Sequence, residues 1–148
     1  MSPSGAPITG LSHVQLLVTD VQVSAEWYAM VLGLEPYAED YDLGYVALRH
    51  RAAKLVIVLT SIPDVASGST SAPVAHDRSD GESPGSLDHL AFAVPNEDAL
   101  HSWADHLTLL GIDHPGIVLE GGNPSLQLRD PDDIAIELVA PGPQGARP

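Results

Sequence analysis

Apolar and polar residues alternate along two short stretches of the chain, 12–18 and 86–94. Because side chains alternate between the two faces of a strand, both stretches predict β-strands. In each stretch one face is apolar, and the opposite face carries a histidine, His13 in the first and His89 in the second. Two matched strands of this kind predict a duplicated unit, with a site where its halves meet.

A segment with apolar residues at helical spacing follows each of these strands, which predicts two helices. Asp20 and Asn96 are suited to cap the helix starts, and Gly33 and Gly111 to end the helices. The predicted apolar stripes are Val23, Trp27, Tyr28, Val31 and Leu32 in the first helix, and Leu100, Trp103, Ala104, Leu107 and Leu110 in the second.

Three strands are predicted after each helix. They lie near 35–38, 44–49 and 54–60 in the first half, and near 117–120, 124–129 and 134–139 in the second. The spacing from His13 to His89 is 76 residues, the same as from Trp27 to Trp103. Self-similarity at a fixed spacing is strong evidence for a repeat. The sequence therefore predicts an α+β fold of two tandem βαβββ modules.

A change in composition separates the two halves. Residues 61–85 are rich in Ser, Gly, Pro and Asp and have no apolar period. Long loops of this kind are functional lids or linkers, and we interpret this one as a linker in which His76 and Asp77 are solvated. We expect a single domain over 8–141, with module 1 at about 8–60, module 2 at about 86–141, and flexible tails at 1–7 and 142–148.

The composition excludes several classes of partner. The 148-residue chain has a net charge of −14 with six Lys plus Arg, so nucleic acid and anionic membranes are disfavoured as partners. It contains no cysteine, which excludes disulfides and thiolate metal sites. The N-terminus does not resemble a signal peptide, and no apolar run approaches the roughly 20 residues of a membrane span. A cytoplasmic protein is the expectation.

Like the two histidines, Glu137 is a polar residue on the strand face opposite an apolar one. It lies in the last predicted strand, opposite the face of Ile134, Ile136 and Leu138. A carboxylate on an interior strand is costly unless it is paired or bound to a metal, and only Lys54 and Arg129 are nearby bases in the sequence. His13, His89 and Glu137 form the two-imidazole, one-carboxylate set that suits Fe(II) and leaves positions open for substrate. Mn(II), Ni(II), Co(II) and Zn(II) are chemically possible.

The repeat, together with the motifs Ser12-His13-Val14, Leu87-Asp88-His89-Leu90 and Arg129-Asp130-Pro131-Asp132, resembles the vicinal oxygen chelate superfamily. This superfamily includes glyoxalase I, extradiol dioxygenases, fosfomycin-resistance enzymes and bleomycin-binding proteins. The resemblance covers residues 8–141. It implies a curved mixed sheet around a central cavity, a divalent metal held by His13, His89 and Glu137, a small-molecule substrate or ligand, and a homodimer.

Two departures from the family patterns narrow the choice among the reactions that the superfamily performs. Glyoxalase I has a fourth protein ligand where this chain has Val58, or Ile57 after a one-residue slip. The dioxygenase pattern has a tyrosine where this chain has Gln127, which argues against ring cleavage by the usual acid/base route. The absence of a fourth ligand leaves a dioxygenase-like site with three protein ligands, so the expected function is a metal-dependent enzyme that acts on a substrate with vicinal oxygens.

Two alternatives remain open at this point. One is a glyoxalase-like lyase or isomerase, and the other is a non-catalytic dimer that sequesters a drug or metabolite, as bleomycin-resistance proteins do. Gln15, Tyr45 and Gln127 are the residues that we expect to line the cavity and orient a substrate.

Overall fold

The computed structural model describes residues 7–61, 85–120 and 122–142. It divides into two compact units, residues 1–64 and 65–148. Each unit contains one strand, one helix and three further strands, in that order. The predicted α+β fold of two βαβββ modules is thereby confirmed. The expected linker lies almost entirely outside the described residues, as do His76 and Asp77.

The first unit is a four-stranded mixed sheet with one helix packed against it. The elements are β1 (Val14–Leu17), α1 (Val21–Leu32), β2 (Glu35–Asp40), β3 (Tyr45–His50) and β4 (Leu55–Thr60). The strand order is β1-β4-β3-β2, in which β1 and β4 are parallel and the other neighbours antiparallel. The helix begins where Asp20 accepts hydrogen bonds from the backbone N–H groups of residues 22 and 23. It ends at Gly33, whose φ of 69° is the left-handed conformation that glycine adopts without strain.

The second unit repeats this topology. The elements are β5 (Leu90–Ala93), α2 (Glu97–Leu109), β6 (Ile117–Glu120), β7 (Asn123–Arg129) and β8 (Ala135–Val139). The strand order is β5-β8-β7-β6, in which β5 and β8, the first and last strands of the unit in sequence, are parallel. The side chain of Asn96 accepts a hydrogen bond from the backbone of Ala99 and caps the helix start, as predicted.

One face of each sheet packs against its own helix and forms the core. In the first unit the most deeply buried residues on α1 and the sheet are Tyr28, Val31, Val46, Leu48, Ile57 and Leu59. In the second unit they are Leu100, Leu107, Leu126, Ile136 and Leu138. These positions alternate along the strands, because only one face of each sheet meets its helix. The opposite face of each sheet is therefore the one that can carry polar chemistry.

One expectation about a helix face is wrong. Val23 was expected in the buried stripe of α1, but it is 51% exposed, because the core face of the helix is formed by Val21, Ala25 and Tyr28. The strands β1 and β5 each end the strand order of their described sheet. The guanidinium of Arg129, one of the two bases near Glu137 in the sequence, contacts the carbonyl and carboxylate of Asp133.

Candidate functional site

A cleft of about 330 Å³ lies on the sheet face of the second unit that is opposite α2. His89 enters it from the residue just before β5, and Glu137 from the middle of β8. Gln127 on β7 is the direct cross-strand neighbour of Glu137, so both side chains point to the same face. The remaining lining residues are Asp88, Asp113, Pro115, Leu128, Arg129, Ala135 and Ile136.

His89 and Glu137 meet in this cleft. The Nε2 atom of His89 lies 3.3 Å from Oε2 of Glu137. The Glu137 side chain is only 14% exposed, whereas that of His89 is 46% exposed. A carboxylate this deeply buried requires a partner, and the imidazole is one. Metal–ligand bonds of about 2.0–2.2 Å place neighbouring ligand atoms about 3 Å apart. The observed separation therefore also fits a shared divalent ion.

Asp88 contacts the other ring nitrogen of His89, Nδ1. Its Oδ2 atom lies 2.6 Å from Nδ1 of His89, a short contact between a carboxylate oxygen and a ring nitrogen. The ring is therefore held from both sides, with Nδ1 facing Asp88 and Nε2 facing Glu137. A histidine that ligates a metal through Nε2 is commonly oriented by such a bond at Nδ1.

The turn between β7 and β8 sets the position of Glu137. Asp130 is 5% exposed, and its Oδ1 accepts hydrogen bonds from the backbone N–H groups of Asp132 and Ile134. Asp133 adopts a φ of 65°, which lets the chain reverse within four residues. The turn therefore fixes the antiparallel register in which Gln127 faces Glu137.

A second cleft, of about 290 Å³, lies on the equivalent sheet face of the first unit. His13, Gln15 and Tyr45 line it, together with Ser12, Tyr37, Val56 and Val58. The hydroxyl of Ser12 lies 3.1 Å from Nδ1 of His13, just as Asp88 contacts His89. The Nε2 of Gln15 donates a long hydrogen bond of 3.4 Å to the Thr60 hydroxyl.

The strand register identifies which residues of the two clefts are equivalent. Val14 pairs with Ile57 in the first unit, and Leu90 pairs with Ile136 in the second. One residue further along β4 is Val58, and one residue further along β8 is Glu137. Val58 therefore occupies the position of the carboxylate, as the sequence comparison of the two halves predicted. The first cleft carries a histidine but no acid at this position.

The structure thus brings together two of the three predicted metal ligands. His89 and Glu137 share one cleft, and His13 lines the cleft of the other unit. Within residues 7–61, 85–120 and 122–142, no group of three or more His, Asp or Glu side chains is assembled as a metal site. The assignment of His13 to the same ion remains a prediction.

Sequence reasoning assigned no role to Ser12, Asp88 or Asp113. The first two directly precede the matched histidines and are themselves 76 residues apart, so the repeat contained a signal for them. Asp113 lies in the segment between α2 and β6, which has no regular periodicity, and only the fold brings it to the cleft.

Two βαβββ units, each with a histidine that lines a cleft on its sheet and one with a carboxylate beside that histidine, define a class of duplicated α+β folds. Residues 10–138 match the sequence model of the Glyoxalase/Bleomycin resistance protein/Dioxygenase superfamily, and the chain belongs to this superfamily. The resemblance noted from the sequence is confirmed. A search among curated proteins returns no match.

Solved structures agree with this assignment of the fold. A glyoxylase/bleomycin resistance protein/dioxygenase domain from Frankia sp. EAN1pec is 25% identical, with a TM-score of 0.72 and coverage of 95% of this chain and 96% of that one. Lactoylglutathione lyase from Agrobacterium tumefaciens is 17% identical, with a TM-score of 0.68 and coverage of 91% and 96%. The fosfomycin resistance protein FosX from Listeria monocytogenes is 16% identical, with a TM-score of 0.64 and coverage of 94% and 98%. At such identities the last two similarities concern the fold alone.

No helix among the described residues is long and apolar enough to cross a membrane.

Proposed function

We propose that this chain is a divalent-metal-dependent enzyme that acts on a small substrate with two vicinal oxygens. The proposed ligands are His13, His89 and Glu137, and Fe(II) is the ion that this set suits best. The observation that carries the proposal is the 3.3 Å approach of His89 Nε2 to the buried carboxylate of Glu137 inside a cleft.

The chemistry of the donors supports the proposal. Two neutral imidazoles and one carboxylate suit Fe(II), Mn(II), Ni(II), Co(II) and Zn(II), and a bound ion supplies Lewis acidity towards substrate oxygens. The cleft of about 330 Å³ falls at the small end of ligand sites. It suits a substrate of few heavy atoms rather than a polymer.

The other lining residues have roles that the geometry supports. Gln127, directly across from Glu137, offers both an amide donor and a carbonyl acceptor to a substrate oxygen. Arg129 is the basic residue of the cleft lining and can attract a negatively charged substrate oxygen. Gln15 and Tyr45 line the first cleft beside His13 and are proposed to orient the substrate there.

Val58 affects the choice of reaction through the number of protein ligands in the proposed site. Because a valine stands where the second unit has Glu137, the chain supplies three protein ligands rather than four. A glyoxalase-type site with a fourth protein ligand is therefore disfavoured. A three-ligand arrangement, as in dioxygenases, is the proposal, within a homodimer in the cytoplasm.

Metal analysis tests the proposal. We expect about one divalent ion per chain in protein loaded under anaerobic conditions, measured by elemental analysis and calorimetry. The variants His13→Ala, His89→Ala and Glu137→Ala are expected to lose it. His101→Ala is the matched control, because His101 is exposed on α2.

The reaction class needs a second measurement. We expect oxygen uptake by the iron-loaded protein with at least one member of a catechol panel. Metal binding without oxygen uptake would favour the lyase or isomerase alternative. Wild-type protein that cannot be loaded with any of the five ions would contradict the proposal and favour the non-catalytic binding protein.

A further inference from the structure

A β-bulge in the first sheet places an extra aromatic residue at the cleft of that unit. Pro36 pairs with Leu48 and Ala38 with Ala47, so Tyr37 is an additional residue between two adjacent pairs. Its side chain lines the cleft of about 290 Å³. Bulges are frequent beside binding sites, where they re-aim side chains, and this one draws attention to what Tyr37 contacts.

Tyr37 contacts the guanidinium of Arg49. The Cζ atom of Arg49 lies over the Tyr37 ring, 5.2 Å from the ring centroid, which is a cation–π contact. Arg49 is also the direct cross-strand neighbour of Val56, which lines the same cleft, so both side chains point to the same face of the sheet. Arg49 therefore borders the first cleft, and Tyr37 helps to hold its guanidinium there.

The hydrogen-bonding capacity of this guanidinium is not fully used. The Nε atom of Arg49 is buried and has no hydrogen-bond partner among the described residues. Glu35, the cross-strand neighbour of Arg49 on β2, contacts Arg51 instead, at 3.2 Å. Buried donors without an acceptor are uncommon in folded proteins, and a carboxylate matches the planar fork of an arginine. Arg49 thus has the chemistry and the place to receive an anion.

Charge distinguishes the first cleft from the second. The chain has 20 acidic and six basic residues, yet none of the described residues that line the first cleft is acidic. The carboxylates of Asp88, Asp113 and Glu137 all line the second cleft. Arg129, which also lines the second cleft, lies 3.9 Å from the carboxylate of Asp133. An anion is therefore repelled less in the first cleft than in the second.

We propose that Arg49 binds the carboxylate of a small substrate, whose apolar or aromatic body occupies the first cleft beside Tyr45 and Val58. A single guanidinium in a chain of net charge −14 suits a monoanion better than a doubly charged phosphate group. The inference rests on the proposed function for identifying this ligand as the substrate. Binding of the carboxylate itself needs no metal, because Arg49 supplies both the charge and the donors.

Benzoate and benzamide are a matched pair of probes for metal-free protein. They have nearly the same shape, and only benzoate is charged. We expect benzoate to bind about tenfold more tightly than benzamide, because hydrogen bonds to charged groups are the stronger ones. Titration followed by ¹H–¹⁵N NMR measures both affinities. The largest shift changes are expected at Tyr37, Arg49 and Val56, in the first unit.

Substitutions of Arg49 separate its role from that of overall charge. Arg49→Gln is expected to lower the affinity for benzoate about tenfold and to leave that for benzamide unchanged. Arg49→Lys, which keeps the charge but not the planar fork, should give an intermediate affinity. Arg51→Gln is the matched control, because it removes the same charge from the turn that follows β3, and we expect it to leave benzoate binding almost unchanged.

Substitutions of Tyr37 test the aromatic support of Arg49. Tyr37→Phe keeps the ring and should retain benzoate binding, whereas Tyr37→Leu removes the cation–π contact and should weaken it.

Several results would overturn the inference. They are equal affinities of the wild type for benzoate and benzamide, no benzoate binding, shift changes confined to the second unit, or equal losses in Arg49→Gln and Arg51→Gln. The first three need no variant, so they do not depend on how well a substituted chain folds. Benzoate binding that depends on Arg49, in a protein that cannot be loaded with metal, would contradict only the proposed function. Metal loading without any preference for benzoate would contradict only the role of Arg49.

Discussion

Removal of the Asp130 carboxylate is expected to destabilise the second unit and to disturb the placement of Glu137. Asp130 directly follows β7 and is buried, and its Oδ1 accepts two backbone hydrogen bonds, of 2.9 Å from Asp132 and 2.8 Å from Ile134. These bonds close the turn into β8. In Asp130→Ala both backbone N–H groups lose their acceptor inside a tight turn.

The magnitude follows from the two bonds and their surroundings. Hydrogen bonds to charged groups are each worth about 1.5–3 kcal/mol. The turn residues Pro131 and Asp133 are exposed, so water can replace part of the loss. We therefore expect Asp130→Ala to lower the free energy of unfolding by about 2–4 kcal/mol. Asp130→Asn keeps a carbonyl oxygen in place of Oδ1 and is expected to cost about 1 kcal/mol.

Urea denaturation followed by tryptophan fluorescence checks this expectation. The chain has two tryptophans, Trp27 in the first unit and Trp103 in the second. A Trp27→Phe background therefore leaves a reporter for the unit that contains the turn. An Asp130→Ala variant as stable as its parent would refute the reasoning. So would an asparagine variant as unstable as the alanine variant, because the charge and not the acceptor would then matter.

Three further predictions concern other parts of the chain. The Glu39 carboxylate accepts a hydrogen bond from the Tyr41 hydroxyl and, with this bond as the main cause, raises the pKa of Tyr41 above 10.0. The hydrogen bond therefore contributes fully to stability at a pH below the pKa of Tyr41 in the unfolded chain, and this contribution is lost as the pH rises through the pKa of Tyr41 in the folded protein. NMR titration should give a lower Tyr41 pKa in Glu39→Gln than in the wild type. Leu107→Ala should lower the free energy of unfolding, measured by thermal denaturation, by about 2–5 kcal/mol, because the Leu107 side chain is 0% exposed. Leu109→Ala should leave it almost unchanged, because Leu109 is 85% exposed. Gly33→Ala should lower the free energy of unfolding by about 1–2 kcal/mol in the same assay, because the φ of 69° at this position is a left-handed conformation that strains an alanine.

The alternation of apolar residues was sufficient to predict the strands and several residues of their core faces. Leu16 and Val18 in the first unit, and Ile136 and Leu138 in the second, are buried as expected. Strand ends were less predictable, because pairing with a neighbour decides where a strand begins. The first predicted strand stretch begins at residue 12, but the strand is paired only from Val14.

The buried faces of the helices were predicted less well, because an apolar residue can also lie on the side of a helix that faces away from the core. Val23 is apolar and correctly spaced, yet it lies on the outer side of α1. Spacing alone does not reveal which of two apolar arcs meets the sheet. Likewise, Asp113 reaches the cleft from an irregular segment, and no local pattern in the sequence predicts such a contact.

The two units differ at the positions of the proposed acid and of its cross-strand neighbour. The cross-strand pair Ala47 and Val58 in the first unit corresponds to Gln127 and Glu137 in the second. Ala47 is 0% and Val58 7% exposed, so an acid at either position would be costly without a partner. The histidine survives in both units, whereas the carboxylate and its amide neighbour occur in the second alone. In the proposed metal site, the second unit would therefore supply the acid, and the first unit only the imidazole of His13.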